Sequence, residues 1–320
     1  MATKAERSAG ERPYTIGLVL HPSRSVLDSI QVITEFGAAH GVAVIARVAD
    51  ADRVGSDVTL VDTEEFVDRA DAVVSLGGNG TMLGAMRLVV DRGVPVLGVN
   101  HGRLGFLVEI APTELAAALV RLVENTFTLE PHSCLDVGVQ GATASWMAFN
   151  DVVLTATKPF GGMTVDLLVN GAGHGYYRGD ALVCCTPIGS TAYNYAAGGP
   201  VVSPSSPSVV LTPVAPMSGI GRSVVLGGDD VISLANPSPD QPLLVSIDGV
   251  RAGQLDPQGA LSISLHNDAV SLIRLDADIH AQRARVKLSL LDLPLRPDQL
   301  LELIPQPLRE RAERHRRANS

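Results

Sequence analysis

Between residues 15 and 125, short apolar runs alternate with segments whose apolar residues recur at helical spacing, and few folds accept that pattern. Residues 15–20, 42–46, 72–76 and 94–99 are compact apolar runs that read as buried strands. Between them, residues 25–40 place Val26, Ile30, Val32, Ile33 and Phe36 at helical spacing. Residues 64–69 predict a short helix, a further helix runs from Thr81 to about Val90, and 112–125 predict a fourth with Thr113 as candidate cap. Repeated strand–helix–strand units imply a parallel sheet covered on both faces. Past about Thr126 the texture changes. The runs 136–139, 146–155, 164–169, 181–185, 209–211, 223–226, 243–247 and 261–265 are short and turn-bounded, as in an antiparallel sandwich or barrel-like domain. The pattern turns helical again from about Ala277 to Val286. Residues 295–320 predict a helix followed by Arg309, Arg311, Arg314, Arg316 and Arg317, which read as a solvated tail.

Composition narrows the function. With 320 residues, 46% hydrophobic and 18% charged, the chain can bury the cores of two domains. A formal charge of −9 repels a phosphate backbone, and 4% aromatic residues, with Trp146 the single Trp, offer no stacking platform. Nucleic acid is therefore not an expected partner. Cys134, Cys184 and Cys185 form neither a disulfide framework nor a zinc motif, and adjacent Cys184 and Cys185 point to opposite faces if they lie in a strand. Residues 1–13 are polar, so no signal peptide is expected, and no run approaches the roughly 18 apolar residues of a membrane span. The expected location is cytoplasmic. No nucleophile elbow or His-Glu-x-x-His pattern supports a hydrolase, and the 8 His residues are scattered.

Three segments carry chemistry. The turn Leu76-Gly77-Gly78-Asn79-Gly80-Thr81 leaves backbone N–H groups open ahead of a helix, the ingredients of a phosphate cradle. Asn-Gly also signals a hairpin, but the following residues TMLGAMRLVV are helix-like. The spacing is neither that of a Walker loop nor that of a Rossmann fingerprint. The second segment, residues 186–194 with the glycines of 197–200, follows an apolar strand and offers backbone and hydroxyl donors to a polar ligand. The third is the polar pair Asn150-Asp151 at a strand edge.

Five ordered motifs resemble the NAD kinase family: the turn at 77–81; Gly98 through Leu107; Asn150-Asp151; Asp180 through Pro200; and 211–216 with Arg222. The turn Ile247-Asp248-Gly249 also fits. The resemblance implies an α/β class fold with an N-terminal parallel-sheet nucleotide-binding domain over 13–125, to which 278–295 return. It also implies a β-sandwich dinucleotide domain over 126–277, leaving 296–320 as a basic helical extension. It implies transfer of the γ-phosphoryl of ATP, or of polyphosphate in some members, to the 2′-hydroxyl of NAD with Mg²⁺ or another divalent metal. Gly77, Gly78, Gly80 and Thr81 would cradle phosphate, and Asn150 and Asp151 would hold the adenosine side. Asp180, Thr191, Ala192 and Tyr193 would line the dinucleotide pocket, some of them lent by a neighbouring subunit. Thr186, Ile188, Ser190 and Asp248 complete the binding set. Asn79, Asp151 and Asp180 are the catalytic candidates, and the assembly implied is a homodimer or homotetramer.

The chain departs from the family pattern at several of these positions. Asn79 stands where the family turn carries Asp, and an amide cannot accept a hydroxyl proton. Ile188 replaces a hydroxyl residue, Met217 replaces a usual His, Ser223 follows Arg222 where Pro is common, and His101 is unusual in its segment. A substitute base would come from Asp151, Asp180 or Asp248. A silent NAD(P)-binding homologue and an enzyme acting on a hydroxyl of a specialised metabolite are the alternatives.

Overall fold

The structure, a computed structural model, describes residues 12–102, 107–141, 143, 145–158 and 161–276. The chain divides into two compact units. Among the described residues, those up to Met82, within Pro95–Glu130 and from Ile273 to Asp276 form the first, and those within Leu83–Val94 and Pro131–Leu272 form the second. The helices expected over 277–286 and within 295–320 lie outside the described residues.

Elements of the first unit run β1 (Thr15–Leu20), α1 (Leu27–His40), β2 (Ala43–Arg47), β3 (Thr59–Val61), α2 (Thr63–Arg69), β4 (Ala72–Gly77), α3 (Asn79–Leu88, whose residues from Leu83 onward, Arg87 among them, belong to the second unit), β5 (Val96–Asn100) and α4 (Leu115–Val123). The strands lie in the order β5-β4-β1-β2-β3, all parallel, with Ile16 opposite both Val44 and Ala72. Every residue of β1 and β4 is buried, because helices cover both faces. On one face Ile30 and Ile33 of α1 join Leu115, Leu119 and Leu122 of α4 over Ile16, Leu18, Val74 and Leu97. On the other, Phe66 of α2 sits so close to β1 that a Cβ at Gly17 would lie 2.6 Å from its ring. The Asp62 carboxylate accepts the Glu65 N–H and starts α2.

The second unit holds β6 (Thr128–Val139), β7 (Ser145–Ala148), β8 (Asp151–Ala156), β9 (Met163–Val169), β10 (Ala172–Gly179), β11 (Ala181–Cys185), a short helix α5 (Tyr193–Ala196), β12 (Ser208–Val214), β13 (Ser218–Gly219), β14 (Val224–Gly227), β15 (Ile232–Ala235), β16 (Leu243–Ile247), β17 (Val250–Leu255) and β18 (Ala260–Arg274). One antiparallel layer is ordered β13-β10-β9-β15-β18, with β6 joined to β18 and to β7; the other is β14-β12-β11-β8-β16-β17. Strand β9 alternates buried and half-buried residues, as a sheet with one covered face must. Leu167, Ile232 and Ile263 of the first layer pack with Leu154, Leu182, Leu211 and Val245 of the second, a β-sandwich core. Cys184 points into this core and Cys185 into a smaller cluster with Val153 and Val210 on the opposite face.

The differences from expectation have local causes. Helix α3 begins at Asn79, inside the glycine turn rather than after it. Thr113 does not cap α4: Pro112–Glu114 form a single 3₁₀ turn, and the Glu114 carboxylate accepts the Ala111 N–H instead. The run 146–155 breaks at Phe149–Asn150, between β7 and β8.

Candidate functional site

In the first unit the strand ends converge on the turn after β4. The His21 N–H donates to the Leu76 carbonyl and the His101 N–H to the Gly77 carbonyl, so the residues following β1 and β5 flank the turn. Gly77 is required by packing, since a Cβ there would lie 2.1 Å from Thr81 Oγ1. Gly78 and Gly80 are different. A Cβ on either meets nothing within 4 Å, and neither adopts a positive φ. Packing and backbone strain therefore do not demand glycine at these two positions; an approaching ligand would. The first α-helical bond at this end runs from Met82 N–H to the Gly78 carbonyl, which leaves the N–H groups of Asn79, Gly80 and Thr81 as first-turn donors. Asn79 Oδ1 accepts the Leu107 N–H at 3.4 Å, and Asn100 Oδ1 accepts the Gly102 N–H at 3.0 Å.

In the second unit a cleft of about 460 Å³ is lined by Asn150, Asp151, Val153, Thr155, Ala192, Tyr193, Ser246, Asp248 and Gly249. A smaller one of about 340 Å³, between Ala156 and Asn236–Leu243, carries no titratable side chain among its lining residues. Asp248 and Gly249 form the two-residue turn of the β16–β17 hairpin, both with positive φ (49° and 79°). That turn aims the Asp248 carboxylate at the bend between β7 and β8. It accepts the N–H groups of Phe149 (3.1 Å), Asn150 (2.6 Å) and Asp151 (3.1 Å) and pairs with Arg87 at 2.5 Å. Its lone pairs are committed to holding the backbone, so Asp248 builds the cleft and is not a free proton acceptor.

Asp151 is buried at the head of β8. Burial pushes its carboxyl up from 3.8 to about 6, the Asp248 charge adds to the rise, and the Tyr193 N–H opposes it. The loop after β11 is pressed onto the same bend. Thr186 Oγ1 donates to the Phe149 carbonyl at 2.6 Å and accepts the Gly189 N–H at 3.0 Å. A Cβ at Gly189 would lie 1.9 Å from the Asn150 carbonyl oxygen.

Of the residues singled out in the sequence, the structure brings Asn150, Asp151, Ala192, Tyr193 and Asp248 to one cleft. The hydroxyls of Thr186, Ser190 and Thr191 are spent on backbone: Ser190 Oγ donates to Pro187 O, and Thr191 Oγ1 donates to Ile188 O. Ile188 is half-buried and Asp180 is exposed, and neither lines the cleft. Sequence reasoning missed Arg87, Ser246, Val153 and Thr155 as site residues. Arg87 could not have been found, since its partner lies 161 positions away.

The family model described as the ATP-NAD kinase N-terminal domain matches residues 18–127, and the model for the ATP-NAD kinase C-terminal domain matches 149–275. An NAD kinase of Sulfurimonas denitrificans is 31% identical over 261 residues, covering 81% of this chain and 90% of the relative. Among solved structures, yeast NADH kinase complexed with NADH aligns with a TM-score of 0.76 at 21% identity, over 90% of this chain and 91% of that one. An NAD kinase from Archaeoglobus fulgidus in complex with ATP aligns at 0.65 and 23% identity, over 87% and 98%.

Proposed function

The chain belongs to the NAD kinase family, and we propose from that premise that Asp151 is the proton acceptor of its phosphotransfer. The protein is a phosphotransferase of the NAD kinase type. ATP is the donor and the 2′-hydroxyl of NAD or NADH the acceptor, in keeping with the ligands of the two solved relatives. The acceptor oxygen forms a bond to the γ-phosphorus as the bond to the β–γ bridging oxygen breaks. ADP leaves, and the hydroxyl proton passes to the Asp151 carboxylate. The observation that carries this reading is the buried Asp151 in the second unit's cleft, raised to about 6 and so ionised at neutral pH with a basicity suited to the task. Asn150, Ala192 and Tyr193 position the dinucleotide around it. The turn at 77–81 holds the donor's phosphates, with most of the catalysis in positioning and charge neutralisation.

The side chains at the turn do not fit a resident Mg²⁺. Asn79 presents an amide whose oxygen already accepts a backbone N–H, and among the described residues no group of three or more His, Cys, Asp or Glu could hold a metal. A divalent ion would enter on the nucleotide's own phosphates. No described helix is long and apolar enough to cross a membrane. A cytoplasmic homodimer or homotetramer completes the reading, checked by light scattering on the purified protein.

The direct test is NADP formation from NAD, ATP and Mg²⁺, with NADH as second acceptor. The protein should turn over, and Asp151→Asn should lower kcat by about 10²–10⁴-fold. Failure with both acceptors, or an unchanged kcat in the variant, would overturn the assignment.

A further inference from the structure

Arg87 stands in the last turn of α3, within the second unit. A guanidinium nitrogen lies 2.5 Å from Asp248 Oδ2, and among the described residues Arg87 is the one ion-pair partner of Asp248. The Asp248 side chain is 0% exposed and that of Arg87 33%, so the carboxylate is sealed while its partner meets solvent. The same carboxylate divides its oxygens over the bend between β7 and β8. Oδ2 accepts the Phe149 N–H, and Oδ1 accepts those of Asn150 and Asp151. The Asp248 N–H in turn donates to the Asp151 carbonyl at 2.9 Å. Arg87 is thus linked to the backbone of Asp151 through one residue.

Two negative charges close together in a buried cleft disfavour each other. Burial, and after it the Asp248 charge, push the Asp151 carboxyl up, with the Tyr193 N–H opposing them. The other groups facing Asp151 bring no positive charge. Cys185 stands opposite it in the β8–β11 ladder with Cys184 beside, and burial raises both thiols, so they stay neutral. The Tyr193 phenol of α5 lines the cleft. Near Asp248, burial raises the Cys134 thiol of β6 to about 12, with Asp136, Asp91 and Asp248 adding to the rise. Asp91 Oδ1 lies 2.9 Å from His266 Nε2. Without the Arg87 guanidinium, three N–H donors would still hold a negative charge on Asp248, with no paired cation to offset it.

We propose that Arg87 is a positioning residue for Asp151: acting through Asp248, it holds the bend that carries Asp151 and screens the Asp151 carboxylate from a second buried negative charge. The inference rests on the reading of Asp151 as proton acceptor, but it concerns the ionisation of that group, which is measured with or without turnover.

Two readouts on the full chain keep the inference and that reading apart. Carboxyl ¹³C NMR of protein labelled at aspartate follows the Asp151 titration directly, its signal assigned by its absence in Asp151→Asn. The pH profile of kcat/KM for NAD at saturating ATP follows the acid limb of the reaction. Arg87→Gln should raise the NMR midpoint by about one pH unit, the scale of one charge lost near a partly buried site. Its kcat/KM should then fall about fivefold below the parent's at pH 6 and lie close to it at pH 8. Arg87→Lys returns a point charge and should bring the midpoint most of the way back. Asp248→Asn removes the negative charge instead and should lower the midpoint. A merely structural role would reduce kcat/KM evenly across pH and leave the NMR midpoint in place. Melting temperatures recorded beside each variant identify any that has lost its fold, and Asp248→Asn decides alone if Arg87→Gln does not fold. A midpoint unmoved in folded Arg87→Gln, or one that Asp248→Asn fails to lower, overturns the proposal. Midpoints that move as expected while the kcat/KM limb stays fixed support the proposal and overturn Asp151 as the proton acceptor.

Discussion

Two carboxylates share the second unit's cleft, and their environments give them opposite duties. Asp248 is surrounded by three N–H donors and a guanidinium. Replacing it with Ala strands those groups at a buried bend, and urea unfolding should show a loss of about 3–5 kcal/mol. Asp248→Asn keeps one acceptor and should cost less. Asp151 is buried with less compensation, and its carboxyl is raised in the folded chain. The folded state therefore holds that proton more tightly than the unfolded state. The resulting stability is present in full below the unfolded value of 3.8 and is lost as pH rises through about 6. Holding the ionised group at neutral pH costs roughly 3 kcal/mol on this accounting. Asp151→Asn should thus be more stable than the parent at pH 7 by about 1–3 kcal/mol, with the gap closing towards pH 4. Urea midpoints that differ equally at both pH values would refute the account. The same ionisation predicts that kcat/KM of the parent falls below about pH 6.

At the scale of elements, helix α3 gives the most discriminating experiment. Gly80 sits in its first turn with open space where a Cβ would go, so Gly80→Ala should stabilise the protein by about 0.5–1 kcal/mol. The same methyl group would intrude on a bound phosphate, so ATP affinity should fall as stability rises. A variant that gains stability and binds ATP unchanged would remove the ligand from this turn. The sequence made most of these elements legible because their periods are strong: α1, β1, β4 and β11 follow directly from apolar spacing. Strand β10 was not legible. Its residues Ala172–Gly179 include three glycines and no β-branched residue, and a bulge between Gly173 and Gly175 interrupts its register. The start of α3 was misplaced because glycines argue against helix on propensity, while here they occupy its exposed end. The cleft was half legible. Asn150 and Asp151 stood out as a polar pair at a strand edge, Tyr193 as part of the polar loop 186–194 and Asp248 through the family resemblance, but the hydroxyls of 186–191 are consumed by backbone contacts that only the folded loop reveals.

On the scale of the whole molecule, the chain revisits its first unit late. Arg274, at the end of β18, meets Glu109 at 3.1 Å, Glu130 at 2.5 Å and the Leu107 carbonyl at 3.3 Å, all within that unit. Its side chain is 5% exposed, so the pair with Glu109 is screened little by solvent. Arg274→Ala should cost about 3 kcal/mol in urea unfolding, and a loss under 1 kcal/mol would show that the cluster is not structural. The second unit has its own core, and its cleft of about 460 Å³ falls in the size range of small-molecule pockets. A carboxylate fixed in such a pocket gives the protein a pharmacology. Inhibitors bearing an amine or amidine would find in Asp151 a counter-ion that strengthens as the medium passes pH 6, and acidic isosteres of the same shape would be refused.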